Sequence, residues 1–376
     1  MSNTDTAKSG STAVLPVRLR DLPDDYVKLG VTADKVELWE DGRRNTNDPN
    51  HWEWWYFDAI LDDGTTVVIQ FLQKTFATLS EGIGHPSINF KITLPDGTRN
   101  EQQPSFTDAD CQYSTDKCDV KFGDNSFVGD LDTYEINVSP VNGIAASLKL
   151  KSITTPFRPG AGYFSFGDDD TYYTWLCVVP RGEVSGTITV GGKTMTVKGF
   201  GYHDHQWGSA SHFMLWNHWT WGRQSFDDYT MVIFDMVANS RYGFKRFPLA
   251  FIQDKDGKII FSNTHDVEYE VLEDYTDEES GKIHPKAMRY RFDHDGKQID
   301  YSLRMDQILE SVYAYGKFPE HARQEFDKLG LRPSYTRYLG TGDLTIRDGS
   351  ETIERSGKLV YEFMYPGSSY KDADQS

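Results

Sequence analysis

Short runs of alternating apolar and polar residues recur along the chain, separated by turn residues. "TTVVIQFLQ" follows the turn Asp62-Asp63-Gly64, and "SINFKITL" runs into Pro95-Asp96-Gly97. "YYTWLCVV" stops before Pro180, and "GTITVGGKTMTVKGFGY" reads as a hairpin turning on Gly191-Gly192. Further on, "YTMVIFDMVA" reaches Asn239-Ser240, and "FPLAFIQDKDGKIIFS" turns over Asp254 to Gly257. Alternation of period two, broken by Asp-Gly and Gly-Gly turns, predicts antiparallel meanders or barrels. One helix is expected in "FPEHARQEFDKLGL", opened by Pro319 and stopped near Gly330.

The two halves look alike as up-and-down sets of strands, without a crisp sequence repeat. At 376 residues the chain exceeds the size at which one core usually keeps growing, so two domains are expected. "GSASHF" is small and polar between two strand-like runs, which places the boundary near residues 207 to 215. The expected organisation is all-β with few helices: a flexible tail over 1–30, a β-domain over 31–210 and a second over 211–376.

Composition narrows the partners. The formal charge is −18, and no dense Lys/Arg block occurs, so a nucleic-acid groove is excluded. The first residues lack signal-peptide order, and no stretch approaches the roughly 20 apolar residues of a membrane span. Three cysteines, Cys111, Cys118 and Cys177, suit a reducing compartment, and cytoplasm is the expected location. Cys111 and Cys118 would close a small loop only in an exported protein.

The chemistry concentrates in two windows. Seven of nine tryptophans fall there: Trp52, Trp54 and Trp55 in "HWEWWYFDAI", then Trp207, Trp216, Trp219 and Trp221. His203, His205, His212 and His218 share the second window. As a strand, the first window puts His51, Glu53, Trp55 and Phe57 on one face and Trp52, Trp54, Tyr56 and Asp58 on the other. "GFGYHDHQWGS" sets His203, His205 and Trp207 against Asp204 and Gln206. "LWNHWTWGR" aligns Trp216, His218 and Thr220 against Asn217, Trp219 and Trp221.

Core filling is the ordinary use of such tryptophans, and Glu53 has a structural use as partner of Arg223 or Arg246. His203-Asp204-His205 has the spacing of a strand-borne metal pair, but Gly-Ser-Ala-Ser follows at 208 to 211 and supplies no third ligand. No metal is therefore expected. No G-x-S-x-G, P-loop or G-x-G-x-x-G occurs. An aromatic cavity holding imidazoles and a carboxyl suits cation chemistry on an apolar molecule. A carboxyl kept protonated by apolar surroundings protonates a C=C, and π-faces stabilise the cation by about 0.5 to 2 kcal/mol each.

"HWEWWYFDA", "GYHDHQWGS" and "WNHWTWGR", in that order, resemble the carotenoid 1,2-hydratase (hydroxyneurosporene synthase) and AttH-like family. Kievitone hydratase and fungal Diels–Alderases are relatives in that group. The resemblance extends over most of residues 35 to 366, more weakly after 250. It implies two lipocalin-like antiparallel β-barrel or sandwich domains with a pocket between or within them. It also implies cofactor-free hydration of an isoprenoid C=C, or pericyclic cyclisation, in isoprenoid or secondary metabolism. In the hydratases an H-x-W unit and a downstream acid form the site; His205-x-Trp207 matches the first, and Asp235 is the counterpart of the second. Ile233 stands where an aromatic hydroxyl belongs, so Glu53 competes with Asp235 as the acid.

The leading expectation is a hydratase, with Glu53 or Asp235 as acid and His205, with His203, activating water. His51, Trp54, Trp55, Tyr56, Trp207, Trp216, His218 and Trp219 would bind a hydrophobic isoprenoid, terpenoid or polyene. A pericyclase is the alternative, a lipophilic-ligand carrier the third reading, and either arrangement allows a homodimer.

Overall fold

The structure, a computed structural model, describes residues 13–44, 50–74, 85–263 and 265–368. Its strands form two curled antiparallel sheets, as the alternation predicts. The spatial order of the first runs Arg99–Gln102, Ser87–Thr93, Thr66–Leu72, Trp52–Leu61, Lys193–Gly208, Tyr172–Val190, Ile144–Ser152, Thr133–Val141, Asn125–Gly129, Asp119–Phe122, Cys111–Tyr113. The second runs Ile259–Asn263, Arg246–Asp254, Tyr229–Ala238, Trp216–Ser225, Glu351–Gly367, Leu331–Asp348, Lys297–Val312, Ile283–His294, Glu268–Thr276.

Curling brings distant strands into contact. The Phe71 and Phe122 rings lie 5.2 Å apart across the first sheet, and Phe261 and Phe292 stack at 4.1 Å across the second. Each sheet thereby encloses its own core. The first holds Trp55, Phe57, Ile69, Phe90 and Tyr134, and the second Ile233, Met288, Tyr290, Tyr338 and Tyr361. A third apolar cluster, with Trp52, Trp175, Trp216, Phe234 and Phe247, lies between the sheets. The central strands are thus buried on both faces, which is why "HWEWWYFDAI" is aromatic on both.

The hairpin at Gly191-Gly192 is present, with φ of 59° and 79°, the left-handed geometry that a two-residue turn of this kind requires. The expected helix runs Glu320–Lys328 after Pro319 and ends at Gly330, with a one-turn helix, Ala314–Lys317, before it. Two expectations need correction. The strand Tyr172–Val190 passes through Pro180 rather than stopping there, because the pairing slips between Cys177 and Gly182 and so removes the need for a proline N–H. Part of the stretch read as a flexible tail over 1–30 is docked: Val17–Leu19 pairs with Phe164–Phe166, and the helix Pro23–Leu29 follows. Val17 and Leu19 bury their side chains there, and Arg18 pairs with Asp25 at 2.6 Å. All three cysteines are free, and no described helix is long and apolar enough to cross a membrane.

Candidate active site

Antiparallel register decides which side chains meet. Trp52–Leu61 pairs with Lys193–Gly208 so that Gln206 stands opposite Trp54 and Asp204 opposite Tyr56. These even-numbered residues face the second sheet. From that sheet Trp219, Trp221, Phe234 and Met236 face back, and together they wall a cavity of about 150 Å³. Gln70, Tyr173, His212, Trp216 and Glu362 complete it. Trp216 joins Trp219 although their spacing is odd, because Asn217 is an extra residue in the pairing with Tyr229–Ala238. That bulge corrects the sequence alternation, which put Trp216 with His218.

One cavity wall is polar. Asp204 Oδ2 accepts from Tyr202 O–H at 2.8 Å, Gln206 Nε2 at 3.0 Å and Trp175 Nε1 at 3.2 Å. Gln206 Oε1 in turn accepts from Tyr173 O–H at 2.7 Å. Asp204 Oδ1 has no hydrogen-bond partner among the described residues. Burial pushes the Asp204 carboxyl up to about 6, against the pull of the three donors. His212 packs on Trp52, Trp54 and Trp219, with centroids 5.4 to 5.6 Å away, and burial lowers it to about 3, which keeps it neutral.

Four of the expected residues, Trp54, Tyr56, Trp216 and Trp219, therefore reach the cavity. The others do not. His51, Glu53, Trp55, His203, His205 and Trp207 point into the first sheet, where Trp55 and Trp207 sandwich the His205 ring at 4.7 and 4.6 Å. Glu53 is fully buried and accepts from His205 Nε2 at 2.7 Å, His51 Nε2 at 3.2 Å and the Arg44 backbone N–H at 2.7 Å. Burial alone would raise its carboxyl, but the His205 and His51 hydrogen bonds bring it down to about 2. Glu53 is thus held toward its ionised form inside the first sheet, away from the cavity, whereas the sequence reading expected a protonated acid.

Asp235 and His218 lie inside the second sheet. Asp235 pairs with Arg246 at 2.7 Å and accepts from Tyr290 O–H at 3.2 Å, while its neighbours Phe234 and Met236 face the cavity. His218 packs on Phe363 and Tyr365. Sequence reasoning missed Asp204, Gln206 and Tyr173 as cavity residues. The signal was the same alternation that set Asp204 and Gln206 opposite the histidines. It also missed Asp41, whose Oδ2 accepts from Tyr134 O–H at 2.6 Å and lies 3.3 Å from His203 Nε2. Asp41, Cys118 and His203 are the described residues whose grouping could hold a metal ion.

Two curled antiparallel sheets with an aromatic cavity between them define a protein of lipocalin-like build. Over residues 29–306 the sequence matches the Diels-Alderase-like family, and the chain belongs to that family. The Diels-Alderase mycB of Thermothelomyces thermophilus is 26% identical over 199 residues, 48% of this chain and 45% of mycB. The match thus spans about half of that relative's length. Among solved structures, the AttH protein of Nitrosomonas europaea superposes with a TM-score of 0.57 at 17% identity, over 89% of this chain and 97% of that one. Kievitone hydratase of Nectria haematococca gives 0.54 at 14%, over 94% and 98%. These two likenesses are of fold.

Proposed function

We propose that the chain is a pericyclase of secondary metabolism that folds an apolar polyene between its two sheets and closes a ring. The observation that carries this reading is the make-up of the cavity wall: mostly aromatic faces, with a few hydrogen-bonding groups, Asp204 and Gln206 together with Gln70 and Glu362. A cyclisation moves no atoms in or out, so the enzyme acts by holding the reacting carbons about 3 to 3.5 Å apart in a productive conformer. Membership of the Diels-Alderase-like family supports the same reading. We likewise take 31–210 and 211–376 as the two units, since the strands through Gly208 belong to one sheet and those from Trp216 to the other.

Hydration of a C=C is the second reading, favoured by a carboxyl and an imidazole, Asp204 and His212, in one cavity. Its machinery would then be this couple rather than Glu53 with His205. The test is turnover of linear polyenes bearing an unsaturated carbonyl in H₂¹⁸O, read by mass spectrometry. An isomer of unchanged mass is the expected product, and Asp204→Asn should slow it by about tenfold or less. A product carrying ¹⁸O, with Asp204→Asn costing about 10² to 10⁴ in rate, establishes hydration instead. Quenching of tryptophan fluorescence without turnover favours a carrier.

A further inference from the structure

Inside the first sheet, behind the cavity wall, lies a cluster that the proposed chemistry does not use. Asp41 ends the turn Leu38–Asp41, Cys118 precedes the strand Asp119–Phe122, and His203 sits on Lys193–Gly208. All three are fully buried, and one donor atom from each lies within 4.8 Å of the other two. The surrounding hydrogen bonds fix which atoms point inward. His203 Nδ1 is 2.9 Å from the Tyr56 carbonyl oxygen, which only accepts, so Nδ1 carries a proton. His203 Nε2 lies 3.3 Å from Asp41 Oδ2, and in the tautomer with the proton on Nδ1 alone it turns a lone pair toward that oxygen. Among the described residues, Asp41 Oδ1 and His205 Nδ1 have no hydrogen-bond partner, and the two atoms lie 3.6 Å apart. In that tautomer lone pairs face lone pairs in a dry interior, an arrangement that a cation among them would relieve.

We propose that Asp41 Oδ2, Cys118 Sγ and His203 Nε2 form a buried site for a zinc-type divalent ion. A separation of 3.3 Å is that of two ligands at about 2.0 to 2.1 Å subtending a near-tetrahedral angle. Thiolate, imidazole and carboxylate together select a borderline-soft ion over calcium or magnesium. The outer contacts have the form that orients ligands: a carbonyl on the second imidazole nitrogen, and the Tyr134 hydroxyl on the carboxylate. On binding, the Cys118 thiol, which now donates to the Phe127 carbonyl at 3.5 Å, gives its proton to solvent as the metal–sulfur bond forms, with no change of oxidation state. The H-x-H pair lacked a third ligand nearby in sequence because the partners come from residues 41 and 118. The ion would tie these segments to the strand whose opposite face carries Asp204 and Gln206.

The test is metal content and absorption of the full chain produced in zinc-supplemented and in cobalt-supplemented minimal medium, after dialysis. About one ion per chain should survive, and the cobalt protein should show a thiolate-to-metal charge-transfer band in the near ultraviolet. Cys118→Ser should abolish that band and lower retained metal by about tenfold or more. The wild-type protein decides the matter even where the variant fails to fold. Wild type retaining less than about a tenth of an ion, with ¹⁵N resonances placing protons on both His203 nitrogens, overturns the site in favour of an imidazolium–carboxylate pair. A cobalt spectrum without the band, or one that Cys118→Ser leaves unchanged, overturns it too.

Discussion

Replacing Glu53 by glutamine removes one negative charge from the interior of the first sheet and keeps the side chain's size. The carboxylate accepts from two imidazoles and a backbone N–H, so the amide would turn an N–H toward groups that need an acceptor. A carboxyl that goes from 4.5 to about 2 on folding stabilises the folded state by about 3 kcal/mol, at 1.36 kcal/mol per factor of ten. Removing one partner from a buried charged network costs about 3 to 5 kcal/mol by the same reasoning. The folded value lies below the unfolded one. The contribution is therefore whole above about pH 4.5 and is lost as pH falls toward 2. Urea unfolding followed by tryptophan fluorescence, at neutral pH and near pH 3, measures both effects. Glu53→Gln should lower stability by about 3 kcal/mol at neutral pH and remove that share of the wild type's acid sensitivity. An unchanged urea midpoint together with abolished turnover refutes this structural role and restores Glu53 as a catalytic acid.

Trp219→Ala, which opens the cavity wall, should lower kcat/KM by about 10- to 100-fold with a small change in stability. Trp55→Ala should cost about 3 to 5 kcal/mol in urea unfolding, because that ring is wholly buried against His205. Asp235→Ala removes the ion pair with Arg246 and an acceptor of the Tyr290 hydroxyl, and should cost about 1 to 3 kcal/mol while the folded fraction keeps its kcat. Gly342→Ala places a methyl group on the Gln224 amide and the Tyr301 hydroxyl, which hydrogen-bond each other at 2.8 Å. A loss of about 1 to 3 kcal/mol should appear as a lowered melting temperature.

The turns and the strand alternation were legible because their causes are local. Gly191-Gly192 needs positive φ, and the split of His203 and His205 from Asp204 and Gln206 follows from the pleat alone. Which face looks into the cavity was not legible. A strand covered on both sides shows the same aromatic richness on both, so Trp54 and Trp55 look equivalent in sequence and serve different cores. Matching Asp204 across to Tyr56, and Gln206 across to Trp54, identifies the cavity face, but it requires the pairing register. The extra residue Asn217 and the slip around Pro180 are tertiary choices that reverse or prolong a local pattern. Asp41 sits on a short turn with no periodicity, and only the curl of the sheet brings it to Tyr134 and His203.

Because each sheet supplies half of the cavity, an occupant touches both and acts as a clasp between them. A ligand present at 100 times its Kd adds about 2.7 kcal/mol to whatever holds the sheets together, a factor of about 100 in their association constant. Complementation between separately produced halves then becomes a readout of occupancy. A screen for molecules that restore it would find ligands of the cavity without any prior assay of turnover.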